Sequence, residues 1–579
     1  MNRLLIRRER GRRLYAPRFA RALAAVLATL AVGCARGDDG RKHAMGAAAR
    51  GGAPEVARIA LLLQAGHARG GTARLSGGDT LHLGPSATRF YRARGGKPAW
   101  TDEGGLTDEG RALLAQLGRT DDDGLSPARY HYGTARRLAS MLGSGDDGAK
   151  SAAADLDVVL SEGFARYADD LAMGTLDPKQ AGLEWHLARE HAPKVEALQA
   201  IASGASPDSV VRELRPHTAV YGRMMAALAR YRQIAARGGW PRVGDGTLAG
   251  VRARLIAGED PTEARLAAAG SASQGRADAS LVEAIEHFQR RMGLEADGKV
   301  GPATLEAMDV PVQDRVQALA VNMDRWRWLP RDLGSFYVLV NLPAFRADVM
   351  EGDSTVMEQK VVVGKPGWTT PVFADRIVQL IVNPYWNVPK SIVAEELGPE
   401  MAKDPRYLAR HHFQATADGG YRQMPGPNNS LGLYKFQLTN DEDIYLHDTP
   451  AKDLFGKPDR DLSHGCIRLQ NARAMAYLLG EREGISPEAI DRASASGRNH
   501  VFDLPSPVPT YIMYFTAAVA PDGSVAFYPD VYGIDSRMAA LMPRLRGEPV
   551  DGDSLAHDSA AAADSARQVR ASHAGQGEA

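Results

Sequence analysis

The sequence predicts a multidomain α+β protein in which a helical region precedes a mainly β domain. Apolar side chains recur at helical spacing over much of the first 330 residues, for example in 155–172. From residue 335 the pattern changes to short runs typical of strands, beginning with Phe336 to Asn341. The length of 579 residues agrees with two to four domains.

Composition excludes several classes of protein. Hydrophobic residues make up 44% of the chain and charged residues 24%, so ordinary cores can be buried. Lys and Arg together number 70, as do Asp and Glu, and no domain-scale basic patch argues for a nucleic-acid partner. The two cysteines, Cys34 and Cys466, are too few for a disulfide framework or for most zinc sites. We therefore expect no metal and no cofactor.

Residues 1–34 are typical of an export signal. Residues 1–21 contain eight arginines, and the apolar run from Ala22 to Gly33 is too short to span a bilayer but suits a signal peptide. The run ends at Cys34 in the string Ala-Val-Gly-Cys, which resembles a lipobox. That interpretation predicts a periplasmic protein attached to a membrane through lipidated Cys34, with ordinary cleavage or an uncleaved anchor as alternatives. Residues 35–78 are then a flexible linker.

Helical segments are expected from residue 79 to residue 334. Residues 79–237 show no constellation of catalytic side chains and are predicted to be a helical scaffold domain. Residues 238–310 are predicted to be a small separate domain, because 281–292 carries one apolar helical stripe and Pro302 suits the first turn of a following helix. Residues 311–334 are expected to form a connecting helix.

Residues 335–540 are expected to form the β domain, and the Ala-, Ser- and Asp-rich residues 541–579 a disordered tail. The polar stretch 390–430 interrupts the predicted strands and is interpreted as a lid insertion. Trp386 and Asn387 precede it in an aromatic segment that either lines a cleft or packs the sheet.

The functional signal is a cysteine beside two histidines. His464 and Gly465 directly precede Cys466, and His447 lies at the end of a predicted strand upstream. A cysteine nucleophile must be a thiolate, and a nearby imidazole or oriented backbone amides can lower its pKa. Backbone N–H groups around Gly465 and Cys466 are candidates for an oxyanion hole. The alternative is a buried structural cysteine beside incidental histidines.

The order of these residues is more specific than any one of them. His447-Asp-Thr-Pro, fifteen residues (448–462) and then Ser-His-Gly-Cys466 resemble the signature of the L,D-transpeptidase catalytic domain, the YkuD-like family. The resemblance implies that Cys466 is the nucleophile and that His447 is the base, oriented by a backbone carbonyl near Asp448. It implies that His464 and Gly465 shape the oxyanion side of the site. The residues expected to bind substrate are Arg468, Tyr445, Asp448, Trp386 and Asn387, with a structural salt bridge as the alternative for Arg468.

Longer strings extend the resemblance over about 80–540. FYRARGGKPAW and ARYADDLAMGTLDP resemble the scaffold domain of the larger, YcbB-like transpeptidases. IEHFQRRMGLEADGKVGPATLEAM resembles a peptidoglycan-binding helical repeat. The implied fold is a mainly β L,D-transpeptidase catalytic domain with a helical scaffold and a small three-helix peptidoglycan-binding domain.

The implied activity is formation of 3→3 crosslinks in peptidoglycan. Cys466 attacks the carbonyl of the L-centre of diaminopimelate, D-Ala leaves, and a diaminopimelate amine of a neighbouring stem resolves the thioester. The base then has to act as an acid, for which a His447 pKa near the operating pH would help. Such cysteines are typically acylated by carbapenems.

Three alternatives stay open: an L,D-carboxypeptidase, a transpeptidase that anchors a protein lysine to the wall, and a non-enzymatic peptidoglycan-binding scaffold. The implied partners are peptidoglycan stem peptides and glycan, and other wall-synthesis enzymes are plausible.

Overall fold

The computed structural model describes residues 54–67, 71–103, 105–144, 147–180, 183, 191–244, 246–269, 277–440 and 443–546. The predicted signal peptide with Cys34 lies outside these residues, as does the chain beyond residue 546. No helix in the described stretches combines the length and the apolar character needed to cross a bilayer.

The first part of the chain is mainly helical, as the sequence predicts. Its elements are α1 (Pro54–His67), β1 (Thr72–Arg74), β2 (Thr80–His82), α2 (Pro85–Ala93), β3 (Thr101–Asp102), β4 (Gly105–Leu106), α3 (Asp108–Leu117), α4 (Tyr132–Ala139), α5 (Asp147–Met173), α6 (Lys194–Ala202), α7 (Pro207–Leu214) and α8 (Ala219–Ala236). Short 3-10 helices at Thr120–Asp123, Pro127–Tyr130 and Leu142–Ser144 connect them.

The prediction of a flexible linker over 35–78 is wrong for residues 54–67 and 71–78, which contain α1 and β1. Ile59, Leu62 and Leu63 of α1 are buried, and α1 packs along α5. An ion pair between Arg58 Nε and Asp155 Oδ1, at 2.8 Å, fixes the contact. The Ala- and Gly-rich composition of 35–75 concealed a helix in which Ile59, Leu62 and Leu63 are buried while Leu61 is exposed.

Five further helices lead to the β domain. They are α9 (Leu248–Ala257), α10 (Pro261–Ala269), α11 (Ala279–Arg291), α12 (Pro302–Asp309) and α13 (Val312–Trp328). Pro302 occupies the first turn of α12, because a proline there loses no helical hydrogen bond. Two hydrophobic cores result. One contains buried residues between 59 and 214, and the other runs from Leu176 to Met538 and includes α8, α11, α13 and the β domain.

A buried polar network joins the two cores. Arg327 and Asp324 of α13 are almost completely buried and pair at 3.0 Å. Arg327 Nε also donates to the Tyr221 hydroxyl at 3.0 Å, and that hydroxyl donates to Asp123 Oδ1 at 3.1 Å. Arg215 pairs with the same Asp123 carboxylate at 2.8 Å. Removing one partner would leave a buried charge uncompensated and would lower the free energy of unfolding by about 3–5 kcal/mol. The network therefore holds the first core against α8 and α13.

The last part of the chain is mainly β. Its strands are β5 (Phe336–Asn341), β6 (Arg346–Glu351), β7 (Ser354–Gly364), β8 (Phe373–Val382), β9 (Trp386–Asn387), β10 (Phe413–Ala415), β11 (Tyr421–Gln423), β12 (Tyr434–Gln437), β13 (Leu446–His447), β14 (Asp461–Ser463), β15 (Ile467–Leu469), β16 (His500–Met513), β17 (Ala517–Val519) and β18 (Val525–Phe527). Its helices are α14 (Lys390–Ile392), a π-helix (Val393–Leu397), α15 (Gly398–Lys403), α16 (Tyr407–Arg410), a 3-10 helix (Lys452–Gly456), α17 (Ala472–Arg482), α18 (Pro487–Ala495) and α19 (Ile534–Arg546).

Nine strands form one sheet in the order β14-β7-β15-β13-β12-β8-β16-β5-β6. The sheet closes on itself, because the first half of β7 pairs with β6 and its second half with β15. Closure removes exposed strand edges, which would otherwise invite pairing with other chains. The strand order places the short strands β12, β13 and β15 side by side.

The predicted lid, 390–430, contains short helices and two strands instead of a continuation of the main sheet. Its β11 is the central strand of a separate three-stranded sheet and pairs with β10 on one side and with β9 on the other. At the other end of the domain, the prediction of a disordered tail from residue 541 is wrong for 541–546. These residues complete α19, whose Ile534 and Met538 are buried in the second core.

Candidate active site

Three neighbouring strands present polar side chains on one face of the main sheet. Lys435 of β12 lies opposite His447 of β13, and His447 lies opposite Arg468 of β15. Directly opposed residues project to the same face, and so do residues two positions apart along a strand. Tyr445 and Cys466 each lie two positions before a member of this row. The register therefore brings the predicted base and the predicted nucleophile to one face.

His447 is buried, and its Nδ1 lies within hydrogen-bonding distance of the Asp448 backbone oxygen. A carbonyl only accepts hydrogen bonds, so Nδ1 carries the hydrogen and Nε2 of the neutral ring is left with a lone pair. Burial, assisted by the nearby Arg468 guanidinium, lowers the pKa of His447 to about 3. This pKa differs from the expected value near the operating pH, because desolvation and positive charge both disfavour the imidazolium.

Cys466 is partly exposed, and its thiol donates to the Asp443 backbone oxygen at 3.6 Å. Burial raises the pKa of this thiol, although hydrogen bonds from Tyr445 and the charges of Lys435 and Arg468 act in the opposite direction. At rest the pair is therefore a neutral thiol and a neutral imidazole. The sequence predicted neighbours that lower the pKa of Cys466, but it did not show that desolvation of the thiol would outweigh their effect.

A tight turn holds the residues before Cys466. Gly465 has φ = +110°, a conformation that favours glycine. The buried Ser463 hydroxyl accepts from Gly465 N–H at 3.2 Å and donates to the Cys466 backbone oxygen at 2.7 Å. Thr370 Oγ1 donates to the Gly465 backbone oxygen at 2.7 Å and accepts from Gly364 N–H at 2.9 Å. The Gly465 amide, proposed for an oxyanion hole, is thus already bonded within the turn.

His464 contacts the insertion that precedes β12. Its Nε2 lies 2.9 Å from Glu396 Oε1 in the π-helix, and its ring meets Trp368 edge to face with centroids 5.0 Å apart. Burial lowers the pKa of His464, and the Glu396 carboxylate offsets part of the effect. Neither contact was visible in the sequence, because Glu396 and Trp368 are distant from the motif along the chain.

Two of the predicted substrate-binding residues, Tyr445 and Trp386, lie beside Cys466 and each other. The Tyr445 hydroxyl interacts with Cys466 and also with the Trp386 side chain. Burial raises the pKa of Tyr445 well above its ordinary value, so the hydroxyl keeps its proton and can act as a donor.

Two other predicted residues have structural partners instead. The Asn387 oxygen accepts from Arg422 Nε of β11 at 2.7 Å. The Asp448 carboxylate accepts from Leu433 N–H at 2.9 Å and from Lys452 Nζ at 2.6 Å. Substrate binding by their side chains stays a prediction, and these contacts do not favour it.

Arg468 and Lys435 are cations whose charges act on Cys466. Arg468 interacts electrostatically with Cys466 and with Glu396, but it makes no ion pair within 4.0 Å in the described part of the chain. A structural salt bridge, the alternative role for Arg468, is thus not favoured. Lys435 was missed by sequence reasoning. Its only signal was a lysine between the apolar Tyr434 and Phe436 of a predicted strand.

One acidic cluster has the ligand types of a metal site. Asp260, Glu263 and His287 lie near one another, between α10 and α11. Arg291 Nη2 pairs with Glu263 Oε2 at 2.6 Å, and Arg291 Nε lies 3.6 Å from Asp260 Oδ2. The guanidinium already supplies the positive charge that these carboxylates require, so the cluster is explained as a buried ion-pair network.

Three family models match separate parts of the chain. Residues 335–482 match the "L,D-transpeptidase catalytic domain", residues 85–228 match the "Scaffold domain", and residues 263–308 match the "Putative peptidoglycan binding domain". All three agree with the resemblances found in the sequence.

Among curated proteins, a Haemophilus influenzae protein named "Putative L,D-transpeptidase" is 30% identical over 244 residues. The match covers 38% of this chain, which spans about half (49%) of that relative. Among solved structures, an L,D-transpeptidase from Stackebrandtia nassauensis is 16% identical, with 44% of this chain and 88% of that chain covered and a TM-score of 0.19. One from Xylanimonas cellulosilytica is also 16% identical, with 45% and 92% covered and a TM-score of 0.17.

Proposed function

We propose that the protein is a peptidoglycan L,D-transpeptidase whose nucleophile is Cys466, because residues 335–482 match the L,D-transpeptidase catalytic-domain model. The observation that carries the proposal is the arrangement of His447, whose Nδ1 hydrogen is held by a carbonyl and whose Nε2 can accept a proton on the same face as Cys466. A stem peptide that ends in diaminopimelate and D-Ala is the proposed donor.

In the first half-reaction the Cys466 thiol turns from the Asp443 carbonyl towards His447. The S–H bond breaks, the proton goes to His447 Nε2, and Sγ forms a bond to the carbonyl carbon at the L-centre of diaminopimelate. The carbonyl electron pair moves to oxygen. When the tetrahedral intermediate collapses, its C–N bond breaks, His447 gives its proton to the departing amine, and D-Ala leaves a thioester on Cys466.

The oxyanion needs donors other than Gly465 N–H, which is bonded to Ser463. Cys466 N–H is one candidate, because it makes no hydrogen bond to another residue in the described stretches. The Tyr445 hydroxyl is a second, because it already reaches Cys466 and keeps its proton. Each such donor contributes about 2.7–4 kcal/mol to the transition state in related chemistry.

In the second half-reaction the side-chain amine of another diaminopimelate attacks the thioester. The new C–N bond replaces the C–S bond, and the amine proton passes to His447 and from there to the departing sulfur, which restores the thiol and leaves a 3→3 crosslink. We also propose that the insertion 390–430 is a lid over the active-site cleft, supported by the contact between Glu396 and His464. An extracytoplasmic location follows from the substrate.

Mass spectrometry of products tests the proposal. The purified protein is incubated with a disaccharide-tetrapeptide, and Cys466→Ala is the control. A dimer that has lost one D-Ala and contains a bond between two diaminopimelates, absent with the control, is the expected product. Tripeptide alone would indicate a carboxypeptidase instead, and unchanged substrate would favour a protein acceptor or a wall-binding scaffold.

Acylation by a carbapenem gives a second test of the nucleophile. We expect an intact-mass increase equal to one drug molecule, located on Cys466 by peptide mapping and lost in Cys466→Ala. An adduct that persists in that variant would exclude Cys466 as the acylated group.

A further inference from the structure

Lys435 is a cation inside the active-site face that the reaction described above does not use. Its position on β12 is opposite His447, and its Nζ lies 3.8 Å from the centroid of the Tyr445 ring. The side chain of the same Tyr445 interacts with the Cys466 thiol. The lysine is therefore held over the ring whose polar end contacts the nucleophile.

The ammonium of Lys435 makes no hydrogen bond or ion pair within the described residues. The side chain is only partly exposed, so desolvation lowers its pKa. A lysine in such a place is destabilising unless a negative charge appears nearby. The groups that face it and can supply such a charge are Cys466 and Asp443, both of which favour its charged form.

We propose that Lys435 is a positioning residue whose positive charge stabilises the Cys466 thiolate and later the negative charge of the tetrahedral intermediate. Its contact with the Tyr445 ring holds the ammonium in place. The three strands make this geometry rigid, since Lys435, His447 and Arg468 are in direct register. A charge on sulfur exists only during reaction, so the lysine stabilises the reacting state more than the resting one. The inference rests on the proposed role of Cys466 as nucleophile.

Several charged and titratable groups besides Lys435 lie around the Cys466 thiol. They are His447 and Arg468 on the neighbouring strands, and Asp443 and Tyr445 just before β13. Glu396 of the insertion acts on Arg468. Only Lys435 combines a positive charge with a contact on Tyr445, so its removal should affect the thiol without displacing the hydrogen-bonded turn that carries Cys466.

The experiment measures the rate of alkylation of Cys466 by iodoacetamide between pH 6 and pH 10 in the full chain. Peptide mass spectrometry follows Cys466 separately from Cys34. Lys435→Met removes the charge, Lys435→Arg retains it, and Lys360→Met is the matched control. Lys360 is an exposed lysine on β7 of the same sheet, and its ammonium binds the Phe455 carbonyl.

In Lys435→Met we expect the apparent pKa of Cys466 to rise and alkylation at pH 7.5 to slow, about tenfold for each unit of pKa. Lys435→Arg should restore most of the rate, and Lys360→Met should match the unchanged protein. A rate profile in folded Lys435→Met identical to that of the unchanged protein would overturn the proposal. If Lys435→Met does not fold, the result for Lys435→Arg decides, because this variant keeps the positive charge. Alkylation of Lys435→Arg about tenfold slower than that of the unchanged protein would contradict an electrostatic role.

Alkylation does not require peptide turnover, so this test and that of the proposed function can fail separately. Unchanged alkylation combined with lost crosslinking in Lys435→Met would mean that the lysine binds substrate, which overturns the inference and leaves the transpeptidase proposal intact. Slower alkylation in a protein that makes no crosslink would support the inference and count against the proposed function.

Discussion

Protonation of His447 gives the sharpest test of the resting state of the site. Its pKa is lowered to about 3, by burial first and by Arg468 second. At pH 5 about 1% of the folded protein would then carry the imidazolium, against about 97% for a histidine with the ordinary pKa of about 6.5. The difference of about 3.5 pKa units corresponds to about 5 kcal/mol, and the group is too buried for solvent to screen it appreciably.

The same shift has a consequence for stability. The folded-state pKa lies below the unfolded-state value, so the unfolded chain binds the proton more readily. The stability contributed by the neutral buried ring is complete above about pH 6.5 and declines as the pH falls towards 3, with a loss of about 2 kcal/mol by pH 5. His447→Asn removes this dependence, and its amide can still donate to the Asp448 carbonyl that His447 Nδ1 contacts.

The assay is NMR of protein labelled with 13C at histidine Cε1, titrated from pH 8 to pH 4.5. The His447 signal is identified by its loss in His447→Asn, and a histidine-containing peptide in the same sample gives the ordinary titration. We expect the peptide signal to move and the His447 signal to stay. A His447 signal that titrates near pH 6 would refute the argument that desolvation and Arg468 keep the ring neutral.

Further predictions concern the turn and the insertion. Ser463→Ala should lower the free energy of unfolding by about 1–3 kcal/mol, because it leaves Gly465 N–H and the Cys466 carbonyl without a partner. Ser463→Thr should retain both hydrogen bonds and is the control. Urea denaturation measures both variants, and a Ser463→Ala protein as stable as Ser463→Thr would contradict the assigned hydrogen bonds. Thr370→Val should cost a similar amount in the same assay while Thr370→Ser does not. Glu396→Gln should change the free energy of unfolding by less than about 1 kcal/mol, since the carboxylate is exposed, but it should speed hydrogen–deuterium exchange in 390–430. Unchanged exchange would mean that the contact between Glu396 and His464 does not hold the insertion in place.

The fold class and the family were predictable because their signals are local in sequence. The change from helical to strand periodicity near residue 335 appears within single elements, as β5 shows. The motif around Cys466 occupies four consecutive residues and has its backbone shape set by Ser463 and Gly465, which are in that motif. Both predictions are confirmed by the structure and by the family models.

The surroundings of the motif were not predictable, because they depend on strand pairing between distant parts of the chain. A shift of one residue in the register of β12 would move Lys435 to the opposite face of the sheet. Nothing in the sequence of β12 specifies its partner, so neither this lysine nor its contact with Tyr445 could be inferred. The linker prediction failed for a related reason, since α1 is recognisable as part of a core only when α5 is packed against it.

The two cations Lys435 and Arg468 act in opposite directions on the two members of the neutral pair, Cys466 and His447. Proton transfer from Cys466 to His447 creates a thiolate and an imidazolium, and a cation beside the sulfur favours the first but opposes the second. Lys435 lies opposite His447 and Arg468 lies on its other side, so both cations raise the energy of the imidazolium while they lower that of the thiolate. The imidazolium must then be short-lived, which favours rapid return of its proton to the leaving amine. With so low a resting pKa, His447 is a stronger acid towards the leaving amine than it is a base towards the thiol, so proton transfer from Cys466 is the step that the cations beside the sulfur have to assist.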